Sequence, residues 1–191
     1  MSLARARAPR SPHDGAMASM SEHYALRAGT ALRIGSLVWP RPYFPTLHER
    51  ASLIAQVLPA WAIASGRTAG WVWTGMGQPE PWSVLRPAQP APSPLERMEW
   101  GARTLNPVHH PVQRIQGLRL VTPEATAVDI LLHDSCPDVA GAQVVMLSSF
   151  STLSLRERCR ERRMTQRRRR RLERLLSAVD ALRERYPDIT R

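Results

Sequence analysis

The residues whose types and spacing could do chemistry crowd the carboxyl end, in Arg156 to Arg174, RERCRERRMTQRRRRRLER. Residues 151–191 hold 14 arginines against six acids, a net of +8, whereas residues 1–150 hold 13 against ten, a net of +3. On a helix, Arg156, Arg160, Arg163, Arg167, Arg170 and Arg174 recur every three or four residues and make one cationic stripe, which Arg168, Arg169 and Arg171 widen. Guanidinium forks match phosphate oxygens, and neutralised phosphates release counterions. The chemistry is therefore contact with a polyanion: nucleic acid, DNA ahead of RNA, or an acidic protein. A solvated charged face is the plainer alternative. Against it, Arg167 to Arg171 repel one another by a few tenths of a kcal/mol per pair, which an anionic partner would relieve.

Other reactive types are sparse. Asp129 sits in the apolar run Ala125 to Leu132 with no second acid or base near it in sequence, so a pairing with an arginine or the capping of a loop is expected before catalysis. His109 and His110 are adjacent, point to opposite faces of an extended chain, and have no carboxylate or cysteine at ligand spacing. Cys136 and Cys159 fall in no metal or redox motif. There is no nucleophile elbow, phosphate loop, HExxH or workable carboxylate pair. The expectation is a non-enzymatic protein with no catalytic residue, metal or cofactor.

Composition sets the frame. The chain has 191 residues, 43% of them hydrophobic, enough for a core in one domain or two small ones. All 27 basic residues are arginine, which reads as codon bias in the count, though not in the clustering. The longest apolar stretch, Leu53 to Ala64, is broken by Gln56 and Pro59 and is too short to span a bilayer. Arg5, Arg7 and Arg10 precede no apolar segment, so no secretory signal is read. The cysteine usage suits a reducing cytoplasm, and no membrane partner is expected.

The elements that must position the arginines follow in order. Residues 1–22, rich in Ala, Pro, Ser and Arg, are expected to be disordered, and residues 23–150 to form an α+β domain. Tyr24 to Trp39 reads as short β-prone pieces ended by Pro40 and Pro42. Thr46 and Glu49 form a capping box for a helix burying Leu47, Ala51, Ile54 and Leu58, and Ser65 opens a helix carrying Trp71 and Trp73 into Gly75. Both tryptophans read as core ahead of base-stacking platforms, with Trp61 partly covered.

Trp82 to Leu85 reads as a strand, residues 87–94 as a proline-rich loop, and Glu96 to Leu105 as a short amphipathic segment. Val112 to Ile115, Gln116-Gly117 and Leu118 to Val121 spell a β-hairpin. Thr122-Pro123-Glu124 and Pro137-Asp138 start helices. Residues 151–191 are an arginine-rich helical tail, capped by Ser154 and Glu157, continuous from Thr152 to Tyr186 and docked by Leu172, Leu175, Leu176, Val179, Leu182 and Tyr186. The fold class is α+β: a small antiparallel sheet from Ile34 to Trp39, Trp82 to Leu85 and the two hairpin strands, covered by helices.

The run Gly117 to Val121 followed by Thr122, Pro123, Thr126, Asp129 and Leu131 resembles the segment DGLRVTSPARTLLDLAR of actinobacterial proteins related to the AbiE-type antitoxins of type IV toxin-antitoxin systems. LRIGSLVWP and HERASLIAQVLPAWAIASGRTAGWVWTGM are similar to that family's segment after its winged helix, and LSLRERCRERR to its arginine-rich tail. The resemblance covers about residues 27–183. It implies a regulatory, DNA-contacting antitoxin role, with a cognate toxin as a possible acidic partner. It also implies that the chain corresponds to the family's middle module, with Tyr24 to Trp39 as a remnant of the wing and without the nuclease-like domain many relatives carry. Relatives also break the arginine-rich tail by a short loop, here near Met164-Thr165.

Overall fold

Why Thr46 starts a helix is visible at its side chain. Its Oγ1 accepts from the Glu49 amide at 3.3 Å while a Glu49 carboxylate oxygen accepts from the Thr46 amide at 2.7 Å, a reciprocal box satisfying two otherwise orphaned donors. The computed structural model describes residues 20–35, 37–40, 46–89, 92–133, 137–147, 152–160 and 164–185.

In these, helix α1 (Met20–Arg27) leads into an antiparallel pair, β1 (Ala31–Ile34) and β2 (Leu37–Pro40). Helices α2 (Leu47–Val57) and α3 (Gly66–Thr74) flank the two-residue strand β3 (Ile63–Ala64). Strand β4 (Val84–Arg86), helix α4 (Pro94–Glu99) and strand β5 (Arg103–Thr104) follow, then the hairpin β6 (Val112–Ile115) and β7 (Leu118–Val121). Four helices complete the described chain: α5 (Pro123–His133), α6 (Pro137–Leu147), α7 (Thr152–Arg160) and α8 (Gln166–Arg185).

The fold is α+β, as its sequence implies. The larger sheet has the order β5-β4-β3-β7-β6. The hairpin pairs in register across Gln116 and Gly117, both at positive φ (49° and 81°), the pattern of a two-residue turn whose twist matches its strands. Antiparallel pairing also joins β3 to β4, while β3–β7 and β4–β5 are parallel. Sequence reading missed β3 and β5 because two-residue strands have no period to read.

Several expectations are corrected. Residues 1–19 lie outside the described residues, but Met20–Arg27 is helical, so the unstructured segment expected through residue 22 gives way at Met20. The Ile34 to Trp39 segment pairs only within its own two-stranded sheet and does not join the larger one. The strand expected at Trp82 starts two residues later, at Val84. Of the segment expected over Glu96 to Leu105, only the part to Glu99 is helical, in α4, which a capping box between Ser93 and Glu96 sets and which buries none of its residues; Arg103 and Thr104 form β5. Helix α7 is already formed at Thr152, which puts Ser154 inside it and not at its cap.

Three apolar clusters hold the layers. One joins α2, α3 and the sheet through Ile54, Trp71, Val72, Val84 and Leu120. A second joins α5 to α8 through Ile130, Leu131, Val144, Leu155, Leu175 and Leu176. The third, small, cluster of Ile63, Leu85, Val121 and Ala125 sits where the sheet meets α5.

Trp73 packs against both large clusters. It is half-buried, where full burial was expected, and its Nε1 donates to the Val121 carbonyl at 3.1 Å. Leu131 and Leu132 are buried in the helical cluster. Trp61 is partly covered, as expected, and its Nε1 donates to Glu96 at 3.3 Å.

Arg50, on the otherwise apolar face of α2, is buried. Its Nε donates to the Val72 carbonyl at 2.8 Å and its Nη2 to the Trp73 carbonyl at 3.2 Å. Its charge thus sits at the negative end of the α3 dipole, beside the Gly75 cap, which explains its tolerance there.

Candidate nucleic-acid interface

The arginine-rich tail is two helices. Helices α7 (Thr152–Arg160) and α8 (Gln166–Arg185) are separated by the non-helical Met164 and Thr165, and Thr165 heads α8: the Arg168 amide donates to Thr165 Oγ1 at 3.4 Å and the Arg169 amide to the Thr165 carbonyl at 3.0 Å. The stripe expected to run unbroken from Arg156 to Arg174 is therefore divided between two helices, with Met164 and Thr165 non-helical between them. Spacing alone could not register it, because arginine is a good helix former and no Gly or Pro marks the site.

Helix α8 forms because one face is apolar. Leu172, Leu175, Leu176 and Val179 are buried against α5 to α7 and Leu182 partly so, while Tyr186 lies outside the described residues. Each such side chain contributes about 1.5–3 kcal/mol, which outweighs arginine repulsions of a few tenths each.

The arginines crowd the head of α8, ahead of its buried leucines. Arg167, Arg168, Arg169, Arg170 and Arg174 are exposed and Arg171 is half-buried, and among the described residues none of these six forms an ion pair. Gln166, Arg169, Arg170, Glu173 and Arg174 line an open groove along the helix. The first turn has no acid, although the positive end of a helix dipole favours one. Five guanidinium groups and the helix amides thus concentrate positive charge at one end of α8.

The arginines of α7 are placed differently. Arg156 lies between two acids of α8, 3.5 Å from Glu173 and 3.4 Å from Asp180, and is one-quarter exposed. It clamps α7 to α8 and leaves the expected phosphate-contacting set. Arg158 is tied to Glu124 of α5 at 2.7 Å. Arg160 is exposed, and Arg163 lies outside the described residues.

A second polar cluster lies where β5, α5 and the loop before β6 meet. The Asp129 carboxylate is wholly buried, 3.1 Å from Arg103 Nη2, 3.3 Å from His110 Nε2 and 3.7 Å from His133 Nδ1. The arginine pairing expected for Asp129 is thus present. His110 is buried by the turn over Asn106 to His109, its Nδ1 3.1 Å from both the Asn106 amide and carbonyl. Burial pushes the Asp129 carboxyl up, but the His110 hydrogen bond and the charges of Arg103 and the two histidines hold it below its ordinary value. Burial pulls His133 down, Arg103 adds to that, and Arg168 of α8 contributes from across the helix interface.

Sequence reading missed this cluster because its members are 19 and 26 residues apart from Asp129 and only β5, itself unread, brings Arg103 to it. The i, i+4 spacing of Asp129 and His133 on one helix was the available signal. Among the described residues, no group of three or more His, Cys, Asp or Glu is arranged to hold a metal ion, and no helix is long and apolar enough to cross a membrane. No family model, curated protein or solved structure matches the chain.

Proposed function

We propose that the exposed arginine face at the head of α8 binds the phosphate backbone of nucleic acid, DNA ahead of RNA, in a non-enzymatic protein of antitoxin-like, regulatory character. One observation carries the binding: Arg167 to Arg170, in the first turns of α8, and Arg174, one turn further on, stand exposed with no ion-pair partner among the described residues. Such a grouping is repulsive alone and becomes favourable when phosphates replace the missing anions. The regulatory part rests on the resemblance of Gly117 to Leu131 to the AbiE-type antitoxin segment.

Sequence-independent contact is the expected mode, because arginines reading phosphates fix position without reading bases. Replacing Arg167, Arg168 and Arg170 together with Gln tests it. The variant should fold as the wild type does, since exposed charges contribute little and repulsion is relieved. Titrated against random-sequence duplex at several salt concentrations, it should lose about 0.9 in log-log salt slope per lost contact, up to about 2.7 for three. Equal slopes, or no wild-type binding at low salt, would end the nucleic-acid reading and leave an acidic protein surface as the partner of this face.

A further inference from the structure

The hairpin leaves one edge of the larger sheet open. Strand β6 ends the order β5-β4-β3-β7-β6 and pairs only with β7. The Thr122 amide donates to the Pro111 carbonyl at 3.0 Å, which sets the phase of the ladder. Ladder bonds alternate along an antiparallel strand, so Gln113 and Ile115 turn their amides and carbonyls to β7 while Val112 and Arg114 turn theirs outward. Among the described residues, neither Val112 nor Arg114 meets a hydrogen-bond partner on that side. Ile115 packs inward on the cluster that α2 shares with the sheet, whereas Val112 and Arg114 are exposed. Their backbone groups stand ready for another strand. The far edge offers no such row, because β5 has only Arg103 and Thr104, and Arg103 is engaged by Asp129.

Charge says which strand would fit. Arg114 and Arg119 are direct cross-strand partners, and the same alternation makes them a non-hydrogen-bonded pair, with Cα atoms about 4.5 Å apart and side chains on one face. Like charges so placed are destabilising. Arg119 is held there by its own anchor, since its Nη2 donates to the Ala60 carbonyl at 2.8 Å. Burial and then the charge of Arg114 press the Arg119 guanidinium below its ordinary value. Among the described residues, no acid pairs with either arginine. A second copy of this chain would be a poor occupant, because Val112 to Ile115 holds no acid and would add another arginine pair to the edge.

We infer that β6 takes up an acidic extended segment of a partner protein as a further antiparallel strand, with a Glu or Asp opposite Arg114 and an apolar residue opposite Val112. Because the added strand runs against β6, its acid stands two residues before its apolar residue. The backbone of the acid exchanges both hydrogen bonds with Arg114, and its carboxylate lies against the Arg114–Arg119 pair. Main-chain bonds thus supply affinity, and the arginine pair and Val112 supply the choice of sequence. The inference is independent of the nucleic-acid reading, whose arginines belong to α8.

The probe is a fluorescein-labelled peptide, Thr-Val-Thr-Glu-Thr-Val-Thr, titrated into the full chain and followed by anisotropy. Binding should slow hydrogen exchange at the Val112 and Arg114 amides, read by NMR, whereas Gln113 and Ile115 should be protected with or without peptide. Methylating the backbone nitrogen of the peptide's Glu should abolish binding. Arg114→Glu should weaken it roughly fivefold or more and favour instead a peptide with Lys in place of Glu. The methylated peptide needs only the wild-type chain, so the test stands even where the variant folds poorly. No binding at millimolar peptide, equal binding of the methylated peptide, or unchanged exchange at Val112 and Arg114 overturns the inference. A dimer in sedimentation with those amides already protected would give the edge to a second copy, and duplex DNA that protects them would give it to nucleic acid; either result overturns it too.

Discussion

Arg103 Nη2 stands 3.1 Å from Asp129 Oδ2, and only the arginine meets water. The pair bridges the edge strand β5 and helix α5, so it fixes an element of two residues that has little else to hold it. Removing one member of a buried pair strands the other, at about 3 to 5 kcal/mol. Asp129→Ala should lose stability of that order, because Arg103 and His110 lose a common partner. Arg103→Gln should lose less, since the two histidines remain on the carboxylate. Urea unfolding followed by circular dichroism measures both, and equal midpoints for wild type and Asp129→Ala would show the cluster to be incidental.

Stability should fall in acid in two stages. Both His133 and Asp129 have folded-state pKa values below their ordinary ones, so the unfolded chain binds more protons and acid favours unfolding. For His133 the loss begins as pH drops below about 6.5, and for Asp129 below about 3.9. Urea midpoints taken from pH 8 to pH 3 should decline in both windows, and His133→Gln should remove its contribution to the upper one. A rise in stability between pH 7 and pH 5 would contradict the assignment.

Arg156 separates clamp from contact. Held by Glu173 and Asp180 and one-quarter exposed, it should contribute at most about 1 kcal/mol to stability. Arg156→Gln should therefore lower the melting temperature slightly and leave the salt slope of duplex binding unchanged. A drop in slope matching that of an α8 arginine would restore the single continuous stripe.

Gly70 should resist replacement. A Cβ there would lie 2.9 Å from Ile130 Cδ1 and 3.0 Å from Gln143 Oε1, where α3 crosses α5 and α6. Alanine gains about 1 kcal/mol in helix propensity over glycine, but overpacking costs about 1 to 3 kcal/mol. Gly70→Ala should be neutral to destabilising by up to about 2 kcal/mol, and a clear gain in melting temperature would show that Gln143 moves aside freely.

What could be read from the residues was local. The Thr46 box, the Gly75 cap and the start of α5 at Pro123 depend on close neighbours, the Gln116-Gly117 hairpin on partners no further apart than Val112 and Val121, and all are present. The rest depends on distant partners. Strands β3 and β5 exist because neighbouring strands supply their hydrogen bonds, and Arg50 is buried because the end of α3 offers it carbonyls 22 and 23 residues away. At the interface, composition located the charge, but two acids of α8 removed Arg156 from it, which a stripe drawn from arginine spacing alone does not see.

Strand β3 imposes a timetable on synthesis. One side of this two-residue strand is taken by β4, close behind it, but the other belongs to β7, whose Leu120 pairs with Ala64. A chain leaving the ribosome must hold that edge open until the hairpin emerges. At about 5–20 residues per second the interval is roughly 3 to 11 s, during which unpaired backbone groups at the centre of the future sheet are available to any passing strand. Slowing translation between codons 64 and 121 should lengthen that exposure and raise the aggregated fraction, whereas slowing it after codon 121 should not.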